Sequence, residues 1–341
     1  MRVLVTGHKG FIGSVMVPFL QARDVDVVGM DTDYFRDCTF LGTLSTIPEI
    51  ACDIRDVSPS HLAGFDAVIH LAALSNDPLG DFDPQLTYDI NHHATVRLAR
   101  FARDAGVSRF LFSSSCSNYG ASGDGLLDES APFNPVTPYG ISKVRAEGDL
   151  LDLASDEFSP VLLRSATAYG VSPRLRCDIV LNNLTAWAVA TGKVLIKSDG
   201  TPWRPIVHVE DICSAFAAAL DAPREAVHAQ AFNVARQEEN YRIRDLAEIV
   251  QSSVPGATVE FAGDAGPDAR NYRVDASKIQ AKLPGFTPRW TARDGARQLY
   301  EAFTQAAITV EDFEGWRFRR IGQIKRLMDC ELLGSDLRWT A

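Results

Sequence analysis

Residues 1–31, MRVLVTGHKGFIGSVMVPFLQARDVDVVGMD, read as strand, glycine turn, helix, strand. Residues 2–6 are a short, valine-rich apolar run, the composition a strand needs when both of its faces are covered. Gly7, Gly10 and Gly13 follow at intervals of three, after which Phe11, Val15, Phe19 and Leu20 recur near helical period. VDVVGMD (25–31) is the second strand, and Asp31 ends it. A glycine turn at a helix N-terminus lets the backbone approach a pyrophosphate, whose charge meets free N–H groups and the positive helix end. A carboxylate at the end of the next strand suits the hydroxyls of an adenosine ribose and repels a ribose 2′-phosphate. The pattern predicts an α/β, Rossmann-type doubly wound parallel sheet with NAD favoured over NADP as cofactor.

The rest of the chain is compatible with such a domain. Its 341 residues are 46% hydrophobic and 23% charged, an ordinary composition for a soluble globular protein. No apolar run approaches the roughly 20 residues of a membrane helix, and the opening MRVLVTG is too short for a signal-peptide core, so the cytoplasm is expected. A formal net charge of −10 offers no broad positive field to nucleic acid. Cys38, Cys52, Cys116, Cys177, Cys213 and Cys330 form no C-x-x-C pair and have no histidine at ligand spacing, so no metal site is expected.

Two further stretches carry chemistry. TPYGISKVRAEGDLL (137–151) sets Tyr139 and Lys143 four apart, on one helix face. A phenol near pKa 10 is a poor base at neutral pH, and an adjacent ammonium favours its phenolate. RFLFSSSCSNYG (109–120) places three serines and a cysteine after an apolar strand. A G-x-S-x-G elbow is absent and Ser115 has no identifiable His–Asp relay, so a serine-hydrolase reading finds no support.

The G-x-x-G-x-x-G form of TGHKGFIG (6–13) resembles the cofactor loop of the extended short-chain dehydrogenase/reductase group, the NAD-dependent epimerases and dehydratases of nucleotide sugars. The resemblance continues in order. CDIRD (52–56) is similar to the segment whose acid, here Asp53, meets the adenine amino group, with Ile54 beside the ring. VIHLAAL (68–74) matches the strand whose Leu71, Ala72 and Ala73 pack on the cofactor, and INHHATVRL (90–98) carries Asn91 onto a structural asparagine. The cofactor set implied is Gly7, Gly10, Phe11, Ile12, Gly13, Asp31, Asp53, Ile54, Leu71, Ala72, Ala73 and Asn91, with Tyr139 and Lys143 at the nicotinamide ribose. By the same resemblance Ser115 completes a catalytic triad with Tyr139 and Lys143. Ser113 and Ser114 are read as strand-end residues. Relatives that eliminate water carry Asp-Glu where this chain has Cys116 and Ser117, so the closer likeness is to enzymes that need hydride transfer alone.

In the second half, LLRSATAYGV (162–171) resembles a substrate segment with Thr167 in the usual asparagine position. SDGTPWRPIVHVEDI (198–212) and GPDARNYRVDASKI (266–279) carry Arg204 and Arg270 onto two phosphate-binding arginines. His208 is read as a packed strand residue. Ser75, Ser115, Cys116, Ser117, Thr167, Arg204 and Arg270 are the substrate candidates. A NAD-binding domain over 1–165, completed by about 207–235, and a mainly substrate-binding lobe over 166–341 are expected. Beyond about 308 the resemblance fades, and Phe318, Ile321, Ile324 and Met328 predict a helix packed on the C-terminal lobe. The resemblance implies a homodimer formed by helices near 90–104 and 139–154. It also implies a nucleotide-sugar enzyme, a 4-epimerase first, with a keto-sugar reductase and a dehydratase as alternatives and a silent dinucleotide-binding regulator as the non-enzymatic one.

Overall fold

The computed structural model describes residues 1–266 and 270–340. Seven strands form one parallel sheet: β1 (Arg2–Thr6), β2 (Asp26–Asp31), β3 (Glu49–Ala51), β4 (Ala67–His70), β5 (Arg109–Ser115), β6 (Ser159–Ser165) and β7 (Gln230–Val234). Their spatial order is β7-β6-β5-β4-β1-β2-β3, so the winding reverses between β1 and β4. At such a switch point the connections leave in opposite directions and open a crevice at the carboxyl ends of the strands.

Strand alternation sends the side chains of β1 into two cores. Val3 and Val5 join Ile69 and Leu111 on one face, beneath the helices Gly13–Gln21 and Val209–Asp221. Leu4 joins Val68, Phe110 and Phe112 on the other, against Leu98 and Ala102 of the helix Thr95–Asp104 and Ala146 and Leu150 of the helix Pro138–Leu151. Apolar burial on both faces is what makes β1 a continuous hydrophobic run rather than an alternating one.

A third core lies in a lobe built on the helices Val180–Thr191, Ile243–Ser253 and Ala292–Gln305. Its strands Lys193–Ser198 and Thr258–Gly266 pair in parallel, and Trp203–His208 lies between Thr167–Tyr169 and Asn240–Arg242. His208 is fully buried there, stacked on Trp290 with ring centroids 3.9 Å apart, and its Nδ1 accepts from Glu210 N.

The C-terminal segment departs from expectation. Phe313 and Phe318 do belong to the lobe core, but the helix Arg320–Asp329 leaves it. Ile324, Leu327, Leu333 and Leu337 are buried with Leu4, Val28 and Met30 in the sheet core, and Ile321 and Met328 pack at its edge. Helical periodicity identified an apolar face, but a periodicity does not say which core receives it. The remainder is tied down by polar contacts to the loop after β2 and the turn after β3: Trp339 Nε1 donates to Thr32 O (2.7 Å), Tyr34 Oη to Leu337 O (2.5 Å), and Arg55 Nη1 to Asp336 O (2.7 Å).

Candidate active site

The crevice at the switch point is a cavity open to solvent. Its floor is the glycine turn. Gly7 has φ of 73°, and a Cβ there would stand 2.7 Å from Ala72 N at the end of β4. A Cβ on Gly13 would stand 2.6 Å from His8 Cα. Both positions therefore need glycine, one for its left-handed backbone and both for close approach. The helix Gly13–Gln21 begins with no side-chain cap and no acid in its first turn, which leaves its positive end to the cavity.

Asp31 lines the cavity from the end of β2; its two oxygens accept from Lys9 N (2.9 Å) and Asp33 N (2.8 Å). Burial raises its pKa, against the pull of those two backbone donors. Phe11, Ile12, Ile54, Leu71, Ala72, Ala73 and Ser75 also line the cavity, as does Asp53. The Asp53 carboxylate is gripped by Arg55, through Nε (3.0 Å) and Nη2 (2.7 Å). Its pKa is lowered: burial, the largest influence, acts upward and is outweighed by the Arg55 bonds. Asn91 lies beneath the cavity and is fully buried, its Oδ1 accepting from Leu74 N (2.8 Å) and its Nδ2 donating to Leu74 O (3.0 Å). The side chain thus braces the loop that carries Ala72 and Ala73. It sits in a single π-helical turn, Asp89–Ala94, at the start of the helix Thr95–Asp104.

Ser115, Tyr139 and Lys143 are brought together at the carboxyl end of β5. Thr137 caps the helix Pro138–Leu151, its Oγ1 accepting from Gly140 N (3.2 Å), and this fixes Tyr139 in the first turn. Tyr139 shares a side-chain hydrogen bond with Ser115; burial pushes the phenol up to about 12, and the Ser115 bond acts in the opposite direction. Ser115 Oγ in turn accepts from Ser117 N (3.1 Å) and Ser117 Oγ (2.8 Å). One turn on, Lys143 Nζ donates to Ser113 O (2.7 Å) and lies 5.8 Å from the Tyr139 ring centroid. Burial draws its ammonium down to about 7, and Glu147 opposes this. Cys116, the next residue after Ser115, is fully buried in the sheet core, where its thiol donates to Arg164 O (3.1 Å) and burial pushes its pKa up. Ser114 is buried too, donating to Glu147, the partner of Arg164 in a buried ion pair of 2.6 Å.

Thr167 opens a lobe strand and is partly exposed. Arg204 is buried, with Nη1 donating to Trp203 O (2.8 Å) and to Arg270 O. Arg270 is ion-paired with Asp77, whose other oxygen accepts from Thr137 Oγ1 (2.7 Å). The two arginines are thus adjacent, and Arg270 is linked through Asp77 to the cap of the Tyr139 helix. Residues 267–269 of the motif that contains Arg270 lie outside the described residues.

Among the lining residues absent from the sequence reading are Tyr34, Phe35, Arg176 and Arg320. Arg176 pairs with the partly buried Asp178 (2.8 Å) and donates to Ser75 Oγ (3.3 Å). The signal available was the closely spaced R-L-R triplet of residues 174–176. Arg320 carried no signal, since RFRRIGQ looks like any basic helix start.

A model of the NAD dependent epimerase/dehydratase family matches residues 3–235. The chain belongs to that family. A UDP-glucose 4-epimerase of Mycolicibacterium smegmatis is 29% identical over 318 residues, which cover 89% of this chain and 98% of the relative. A dTDP-D-glucose 4,6-dehydratase of Homo sapiens is 26% identical over 338 residues, 93% of this chain and 92% of the relative. A UDP-glucuronic acid 4-epimerase from Bacillus cereus, solved with UDP-glucuronic acid and NAD, superposes with a TM-score of 0.75 at 26% identity, covering 89% of this chain and 99% of that one. The cofactor of this epimerase/dehydratase enzyme is NAD. The cavity fits it, with glycines where the backbone must be bare and a carboxylate at the end of β2.

Proposed function

We propose that this enzyme is a nucleotide-sugar 4-epimerase working through a 4-keto intermediate. The observation that carries the reading is the cluster of Ser115, Tyr139 and Lys143 without a carboxylate at positions 116 and 117. Cys116 is turned into the core with its thiol held protonated, and Ser117 is spent on Ser115. The nearest carboxylate to influence Tyr139, Asp77, is engaged by Arg270 and Thr137. That supports hydroxyl oxidation and disfavours an elimination, which needs one group to protonate the leaving hydroxyl and another to take a carbon-bound proton.

Gly7, Gly10, Gly13 and Asp31 would hold the dinucleotide, and Lys143 its nicotinamide ribose. NAD, when bound, supplies a reversible hydride acceptor and a positive nicotinamide charge. Tyr139 takes the proton of the C4 hydroxyl while the C4 hydrogen departs as hydride, leaving a ketone. Ser115, hydrogen-bonded to Tyr139, holds the reacting oxygen and relays that proton. On return, Tyr139 reprotonates the oxygen after hydride reaches the opposite face of the sugar. Burial holds the phenol up to about pKa 12, so its protein surroundings do not by themselves ionise it. The nicotinamide charge and Lys143 are needed to bring it down.

Arg204 and Arg270 are the residues we assign to the diphosphate of the nucleotide sugar, with Arg270 exchanging Asp77 for phosphate. A homodimer through the helices near 90–104 and 139–154 fits their adjacency, marked by the His92–Asp149 pair at 2.6 Å. Light scattering tests it, with a species of twice the 37.3 kDa chain expected.

Incubation with a panel of nucleotide sugars in deuterium oxide tests the reaction. A C4 epimer without carbon-bound deuterium is expected. A keto product lighter by one water overturns the reading in favour of a dehydratase, and stoichiometric consumption of NADH by a keto-sugar does so in favour of a reductase.

A further inference from the structure

Arg320 opens the C-terminal helix and lies outside residues 3–235, the part matched by the family model. It is 2% exposed, yet it lines the cofactor cavity together with Gly10, Phe11 and Phe35. The guanidinium lies over the Phe35 ring at 4.1 Å, and Nη2 donates to Arg174 O (2.7 Å). Its Nη1 is buried and has no hydrogen-bond partner among the described residues.

The charges around it do not balance. Arg174 is ion-paired with Asp33 (3.1 Å) and Arg176 with Asp178 (2.8 Å). Asp178 accepts from the Arg320 backbone N–H (3.1 Å) and attracts its guanidinium, but no side-chain bond joins the two among the described residues. Burial and the neighbouring Arg176 draw the Arg320 guanidinium down to about 10, so it remains charged at neutral pH. A buried cation with an unused fork donor is unfavourable unless an anion completes it. Across the same cavity stand the glycine turn and an uncapped helix N-terminus, the other half of an anion site.

We propose that Arg320 binds the pyrophosphate of the dinucleotide from the side opposite the glycine turn, so that the C-terminal segment, once folded back, retains the cofactor between turnovers. The planar fork suits a diphosphate, and Phe35 holds it in plane. A nucleotide sugar also carries a diphosphate. The dinucleotide is favoured because Phe35, under Arg320, belongs to the loop that begins at Asp31, the adenosine end of the cavity. The assignment rests on the NAD dependence of the family and not on the 4-epimerase reading.

The test is binding to the full-length protein freed of nucleotide, with ADP-ribose, adenosine and UDP as probes, for wild type, Arg320→Met and Arg320→Lys. Arg320→Met is expected to weaken ADP-ribose by roughly 10- to 100-fold while adenosine and UDP change less than about twofold. If the segment retains the cofactor, wild type purified from cells should carry NAD through gel filtration and Arg320→Met should not. Its melting temperature without ligand should equal or exceed that of wild type, because an uncompensated buried charge is gone, and its rise on adding NAD should shrink. Arg320→Lys, which keeps the charge and loses the fork, should fall between, and it decides the matter if Arg320→Met does not fold. Equal losses for ADP-ribose and adenosine, unchanged ADP-ribose, or a loss confined to UDP would each overturn the proposal. Turnover enters none of these readouts, so a failed epimerase assay leaves the result standing.

Discussion

The two walls of the cofactor cavity were built in different ways. The glycine-turn wall comes from one continuous stretch, Gly7 to Asp31, and its parts are set mostly by neighbours in sequence: a bare turn with positive φ, a helix start, a strand end. The opposite wall is assembled from Tyr34 and Phe35, from Arg176 and from Arg320, and is clamped by a tail whose Trp339 reaches Thr32 across 307 positions. The first wall is held by backbone sterics and the second by side-chain charge and packing. The first should therefore fail abruptly when a single atom is added, whereas the second should weaken by degrees.

Tyr139→Phe touches neither wall and sets the scale. Turnover should drop about 10²- to 10⁴-fold with NAD affinity unchanged, read by comparing kcat with a NAD titration. A parallel loss of NAD binding would show that Tyr139 acts on the cavity itself. On the first wall, Gly13→Ala places a Cβ 2.6 Å from His8 Cα. Overpacking there should cost about 1–3 kcal/mol of stability and abolish co-purified NAD; retention of NAD by this variant would break the contrast between the walls. Asp31→Ala leaves the turn intact and should erode the preference for NAD(H) over NADP(H) by about tenfold, close to 1.4 kcal/mol, as measured by competitive titration.

A pH series sharpens the picture at the reacting end. The folded pKa of Lys143 is depressed to about 7 from an ordinary 10.5. Between those values the unfolded chain binds a proton that the folded chain lacks, so this group makes stability rise with pH across the window. Tyr139, raised to about 12, works in the opposite direction above pH 10. The urea midpoint of nucleotide-free wild type should climb from pH 7 to pH 9.5 relative to Lys143→Met, and parallel profiles would contradict the assignment. The smallest effect belongs to the tail. The Arg338–Asp56 pair has side chains 34% and 57% exposed, and Arg338→Ala should cost less than about 1 kcal/mol of stability.

Much of the site was legible before any coordinates. Gly7, Gly13 and Asp31 line the cavity where local pattern placed them, Ala72 and Ala73 where the family resemblance did, and Ser115, Tyr139 and Lys143 converge on one strand end. SSSCSNYG was harder to divide. Its alternation on β5 turns Ser114 toward Glu147 and Ser115 toward Tyr139, whereas Cys116 begins a short 3-10 turn that returns its thiol to the core. Nothing in the string of small polar residues distinguishes these directions, because each is set by the register of the neighbouring strand and helix.

The sequence alone determined the wall whose constraints are local. A positive φ, an uncapped helix start and a strand-end carboxylate act within a few residues, and an apolar run wet on neither face announces a central parallel strand. Only the tertiary structure decided that the helix Arg320–Asp329 leaves the lobe for the sheet core, and that Arg320 comes to rest against Phe35 with one buried fork nitrogen, Nη1, that has no hydrogen-bond partner among the described residues. Apolar periodicity records that a face is buried and is silent about the partner. The partner is chosen by long-range fit of shape and charge, which no short window of sequence contains.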